Sequence, residues 1–118
     1  MATIIEDYVS FETAKLLKEK GFTENCLMRY NRVGDLVEEA YKFNWNFQTI
    51  DYSAPTLQMA MKWLRVVYDI YISIIPLRSH KEYLPRIESD TISHDAIPCR
   101  KYEDACEVAI KYCLENLI

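Results

Sequence analysis

The apolar residues of this chain switch repeatedly between the 3.6-residue period of a helix and the two-residue period of a strand, and that switching restricts the fold to a mixed architecture. Phe11, Ala14 and Leu17 form a helical stripe, broadened by Leu16, while Glu12, Lys15, Lys18 and Glu19 stay outside it. Ser10 is placed to cap this helix, because its hydroxyl can accept from an otherwise unpaired first-turn amide. Gly21 supplies the left-handed stop, and Phe22 can fold back on Leu17 as in a Schellman motif.

Residues 26–30 read as a short strand, and 31–35 as a turn around Gly34. Val37, Tyr41, Phe43, Trp45 and Phe47 then share one parity, with Glu38, Lys42, Asn44 and Asn46 on the other. That alternation predicts a half-buried strand and hence a hairpin. Glu39 and Ala40 interrupt it, and the alternative left open is a helical start after Asp35. A second helix is expected from Pro55, with Leu57, Ala60, Met61 and Leu64 inside and Trp63 and Val67 widening the stripe. Tyr68, Ile70, Ile72 and Ile74 next alternate with Asp69, Tyr71, Ser73 and Ile75. Pro76 and the polar run 78–82 read as a loop, and 83–92 offers a returning strand, with Pro85 marking a sheet edge or a bulge. Residues 93–101 read as a connection. The last helix, from about Tyr102 to Leu117, carries Ala105, Cys106, Ala109, Ile110, Cys113, Leu114 and Leu117 on its core side. It has no obvious cap, though Glu103 and Asp104 suit its N-terminal dipole.

The expected fold is therefore α+β in the order α-β-β-α-β-β-α, one domain over 1–118. A four-stranded, largely antiparallel sheet with the helices packed on one face covers every stripe. The two helix–hairpin halves show no residue-level repeat.

Only two glycines occur, and the helix stop and the turn use both, so no glycine-rich phosphate loop can be written. Nucleotide binding is not expected. His80 and His94 fall in no compact ligand pattern, and uniting His94 with Cys99, Cys106 and Cys113 matches no recognised zinc spacing. Cys106 and Cys113 lie two helical turns apart, about 10 Å along the axis, too far for a disulfide. Buried free thiols are expected, with no cofactor and no metal. Ser93-His94-Asp95 holds the residue types of a hydrolytic triad, but adjacent residues in extended chain point alternately and form no relay. A catalytic thiol needs Cys26 or Cys99 to meet His80 or His94. No apolar run reaches the roughly 20 residues of a membrane span, and the acidic start of the chain is unlike a signal peptide. A reducing cytoplasm is the expected compartment.

Binding remains. Nine tyrosines offer contact area with a polar handle. Tyr71 is expected on the face away from the isoleucines, and Arg78, His80, Lys81, Tyr83 and Arg86 gather around the second hairpin. Such a cluster could serve a protein partner or a second copy of the chain. Single-stranded nucleic acid is the alternative, although the net charge of −4 does not favour it.

Three segments resemble a group of small proteins of gut anaerobic bacteria and their phages or prophages. They are Val9–Phe22, Ala54–Arg65 and the last helix from Tyr102, the run Lys62-Trp63-Leu64-Arg65 being the most specific. The chain departs from that group at Arg100-Lys101, where Ser or Thr is frequent. The resemblance implies a mobile-element context and brings no activity and no catalytic residues.

Overall fold

The computed structural model describes residues 4–118; the N-terminal stretch read above begins on residues 1–3, which lie outside the described residues. The chain divides into two compact units, Met1–Leu57 and Gln58–Ile118.

The first unit holds α1 (Phe11–Glu19), β1 (Cys26–Tyr30), β2 (Leu36–Phe43), a 3₁₀ turn (Trp45–Phe47) and β3 (Tyr52–Ser53). Helix α1 forms for the reasons its sequence announces. Ser10 Oγ accepts from the Thr13 amide at 3.2 Å. At the other end the Phe22 amide donates to Leu17 and the Gly21 amide to Lys18, the paired bonds of a Schellman stop, with Gly21 at φ 88°. Gly34, at φ 92°, closes the β1–β2 turn against the Phe11 ring, where an added Cβ would meet ring carbon at 3.0 Å. Lys18 departs from expectation. It is half-buried, and its Nζ donates to the backbone carbonyls of Gln48 and Asp51. Loss of water lowers its pKa, partly offset by Asp51.

The expected strand over 36–47 holds only to Phe43. Met28 pairs with Glu38 and Cys26 with Phe43, so the four residues Glu39–Lys42 face Leu27 alone. This bulge destroys the parity: Tyr41 is 63% exposed, although it was grouped with the core side. Phe47 is exposed too, because the chain has turned into the 3₁₀ segment. Trp45 is the residue that reaches the interior.

The second unit holds α2 (entering it from Leu57 and running to Tyr68), β4 (Tyr71–Leu77), β5 (Glu82–Glu88), β6 (Ser93–Asp95) and α3 (Tyr102–Asn116). Six of the seven residues named for the core side of α3 are buried, Leu117 being only half-buried, and no side chain caps its start. Leu57, Ala60, Trp63 and Leu64 of α2 are also buried, whereas Val67 is exposed. The helix ends at Tyr68, one residue later than expected. Asp69 takes the left-handed position at φ 56°, a role that glycine usually signals.

Two three-stranded antiparallel sheets replace the expected four-stranded one. The orders are β2-β1-β3 and β4-β5-β6, so the central strand comes first in one unit and second in the other. The additional strands have two and three residues, too short for any alternation to register. Residues 93–95, expected as connection, are one of them. Among the described residues no helix is long and apolar enough to cross a membrane.

Candidate interaction surface

The β4–β5 hairpin is regular, pairing Tyr71 with Glu88 through Leu77 with Glu82. Cross-strand partners share a face. Ile72, Ile74, Pro85 and Ile87 therefore lie on one side, and Tyr71, Ser73, Ile75, Leu84 and Arg86 on the other. Helix α3 packs against β4 and β5, and the His94 ring stacks on Tyr112 of α3 at 4.2 Å. His94 pairs with Ile87, so the isoleucine face is the one that α3 covers.

The six residues singled out from the sequence do not form one cluster. Arg78, His80 and Lys81 do sit together, exposed on the turn, with Lys81 at φ 54°. Tyr71 stands at the opposite end of β4, about 20 Å away by strand rise. It is 49% exposed, as expected, but beside acid. A shallow cleft of about 280 Å³ there is lined by Asp69, Tyr71, Glu88, Ser89 and Asp90, and a hydrogen bond to Asp69 raises the tyrosine pKa. Tyr83 falls on the α3 face, edge-on to Tyr102 at 6.0 Å. Arg86 is held by Asp95 through two bonds, of 2.8 and 3.1 Å. The hairpin is thus polar end to end, acidic at the start of β4 and basic at the turn.

The Arg86–Asp95 pair gives a pH prediction. The hydrogen bond from Arg86 holds Asp95 below its ordinary value of 3.8. The native state therefore binds fewer protons here than the unfolded chain. This contribution is complete above pH 3.8 and fades as the pH falls through the native value. Urea midpoints measured at pH 5 and pH 3 should converge in Asp95→Asn relative to the parent chain; an unchanged gap would count against the pair.

Two prolines reveal where the β4 backbone points. In a strand, the N–H and C=O of one residue point to the same side. Pro85 accepts from the Ala96 amide, and Tyr83 exchanges both bonds with Cys99, so 83, 85 and 87 face β6. Their β4 partners Ile72, Ile74 and Pro76 consequently face away from β5. Pro85 is thus in a central strand of unbroken register, not at the edge or bulge expected of it, because its missing N–H falls where β6 has already ended at Asp95. Pro76, expected in the loop, belongs to β4 and places its own missing N–H on the outer edge. The N–H and C=O of Ile72 and Ile74 have no hydrogen-bond partner among the described residues. Periodicity could not reveal this edge, and Pro85, the residue expected to mark one, lies on the central strand beside it.

Of the remaining reactive groups, three thiols are packed in the interior and Cys99 lies with His94 in one cleft. Cys26, Cys106 and Cys113 are buried and unbridged, and burial pushes the Cys26 thiol up to about 11 and Cys113 to about 12. Cys99 and His94 line one apolar cleft of about 570 Å³. The thiol contacts the Ile97 carbonyl at 3.6 Å, and burial with Asp104 and Glu82 raises its pKa. His94, expected in a loop, is committed to Tyr112. Among the described residues no group of three His, Cys, Asp or Glu side chains could hold a metal ion. Cys99 alone should react with iodoacetamide in the native chain, with the other three labelled only after denaturation, as read by intact mass. Native labelling of Cys106 or Cys113 would contradict the packing of α3.

Comparison with family models, curated proteins and solved structures finds no match to this chain.

Proposed function

We propose that this chain is a non-enzymatic interaction protein of phage or mobile-element type, which binds another polypeptide, a partner protein or a second copy, along the free edge of β4. The observation that carries the reading is the outward pair of unbonded peptide groups at Ile72 and Ile74. An edge of this kind is a template for an added strand. Charged side chains commonly blunt such edges, but Tyr71–Leu77 contains none; Pro76 alone limits the edge, by removing one donor. The mobile-element context rests on the resemblance of Ala54–Arg65 and the last helix. Nucleic-acid binding, the alternative, retains Arg78, His80 and Lys81, while Tyr71 stands among carboxylates and Arg86 is already paired.

The test is amide hydrogen exchange on the dilute chain, alone and with peptides selected from a random ten-residue library. Bound peptide should slow exchange at Ile72 and Ile74 by at least about tenfold. The reading fails when no selected peptide and no concentration of the chain protects these two amides.

A further inference from the structure

We infer that the β4 edge pairs with the β4 edge of a second copy, antiparallel and centred on Ser73. The inference rests on the edge-docking reading and adds the occupant and the register. Charge supplies the first argument. One end of the hairpin carries Asp69, Glu88 and Asp90, and the other carries Arg78, His80 and Lys81, all exposed. A parallel neighbour brings like charges together at both ends. An antiparallel copy of the same chain sets acid against base twice.

The register follows from the hydrogen-bonding groups. Only even-numbered residues face the edge, Pro76 has no donor, and the Ile70 amide is already bonded to Leu64. Centred on Ser73, Ile72 of one copy exchanges both bonds with Ile74 of the other, and the reverse pair does the same. All free groups of Ile72 and Ile74 are then satisfied. Centring on Ile72 or Ile74 instead leaves some of them unpaired, because Pro76 or the occupied Ile70 amide falls opposite. In the Ser73-centred register Tyr71 packs across the strands against Ile75 of the second copy, an aromatic–β-branched pair. Asp69 lies opposite Leu77, next to Arg78 of that copy. The β4-β5-β6 sheets of the two copies become one of six strands.

Opposite residues at a non-hydrogen-bonded position have Cα atoms about 4.5 Å apart, within disulfide range. In a Cys99→Ser background, Ser73→Cys should therefore oxidise to a covalent dimer. Tyr71→Cys should crosslink only when mixed with Ile75→Cys. Sedimentation of the unmodified chain should show a dimer that weakens with salt. Asp69→Lys and Arg78→Glu should each weaken it at least about tenfold, and an equimolar mixture of the two should restore it, since unlike copies recover both charge contacts. Far-UV circular dichroism confirms that each variant folds. A chain monomeric up to about 1 mM, with Ser73→Cys failing to crosslink, overturns the pairing of copies; peptide protection of Ile72 and Ile74 would then still uphold edge docking. A dimer that leaves those amides unprotected, or ignores both charge reversals, overturns the register as well.

Discussion

Trp45→Ala should lower the stability of the chain by about 3–5 kcal/mol, a large share of the roughly 5–15 kcal/mol typical of a native domain. The indole is 7% exposed. Its Nε1 donates to the Cys26 carbonyl at 2.7 Å, Phe43 packs at 5.0 Å and Tyr41 at 5.9 Å, and the Arg29 guanidinium lies 5.9 Å from the ring. Arg29 in turn binds Glu39 at 2.7 Å and Asp51 at 3.1 Å. Truncation thus empties the space under the β2 bulge and exposes a strand carbonyl together. Trp45→Phe separates the two effects: most of the volume remains, but the Cys26 carbonyl loses its donor, a penalty of about 1–3 kcal/mol. Urea titrations of both variants check this. Equal losses would place the energy in the hydrogen bond, and a loss under about 1 kcal/mol for alanine would mean that the site collapses without cost.

Leu114→Ala should cost about 2–5 kcal/mol. Leu114 is fully buried on α3 with Ile110 and Cys113, and α3 supports both strands of the hairpin whose edge is proposed to bind. The truncated methyls leave a cavity that a helix anchored along its whole core side cannot close. Val108→Ala, on the exposed side of the same helix, should stay within about 0.5 kcal/mol and serves as the control. Amide exchange in Leu114→Ala should accelerate along β5. Unchanged exchange there would indicate that α3 does not stabilise the hairpin.

The helices were legible because their evidence is local. Ser10, Gly21 and the apolar stripe of α1 lie within one or two turns of the bonds they form, and the same is true of the α3 stripe. The end of α2 was legible to within one residue from the change of period, although Asp69 takes its left-handed position without the glycine that usually announces one. The β2 bulge was half legible: Glu39 and Ala40 marked the break, but only pairing with β1 shows that four residues oppose Leu27. The strands β3 and β6 left no periodic trace. Of the proposed surface, the exposure of Tyr71 and the basic turn could be read in advance. Their separation along β4, the edge-on packing of Tyr83 against Tyr102 and the capture of Arg86 by Asp95 could not.

By itself the sequence determined a mixed α+β chain, three helices with their core sides, two hairpins and unbridged thiols. These follow from interactions between residues a few positions apart, which composition and period record directly. Tertiary structure alone decided that the strands form two sheets, and which peptide groups of β4 remain unbonded. A strand's side-chain pattern states which face is buried, not which neighbour its backbone finds. Register and partner are long-range choices, and the free edge exists only once they have been made.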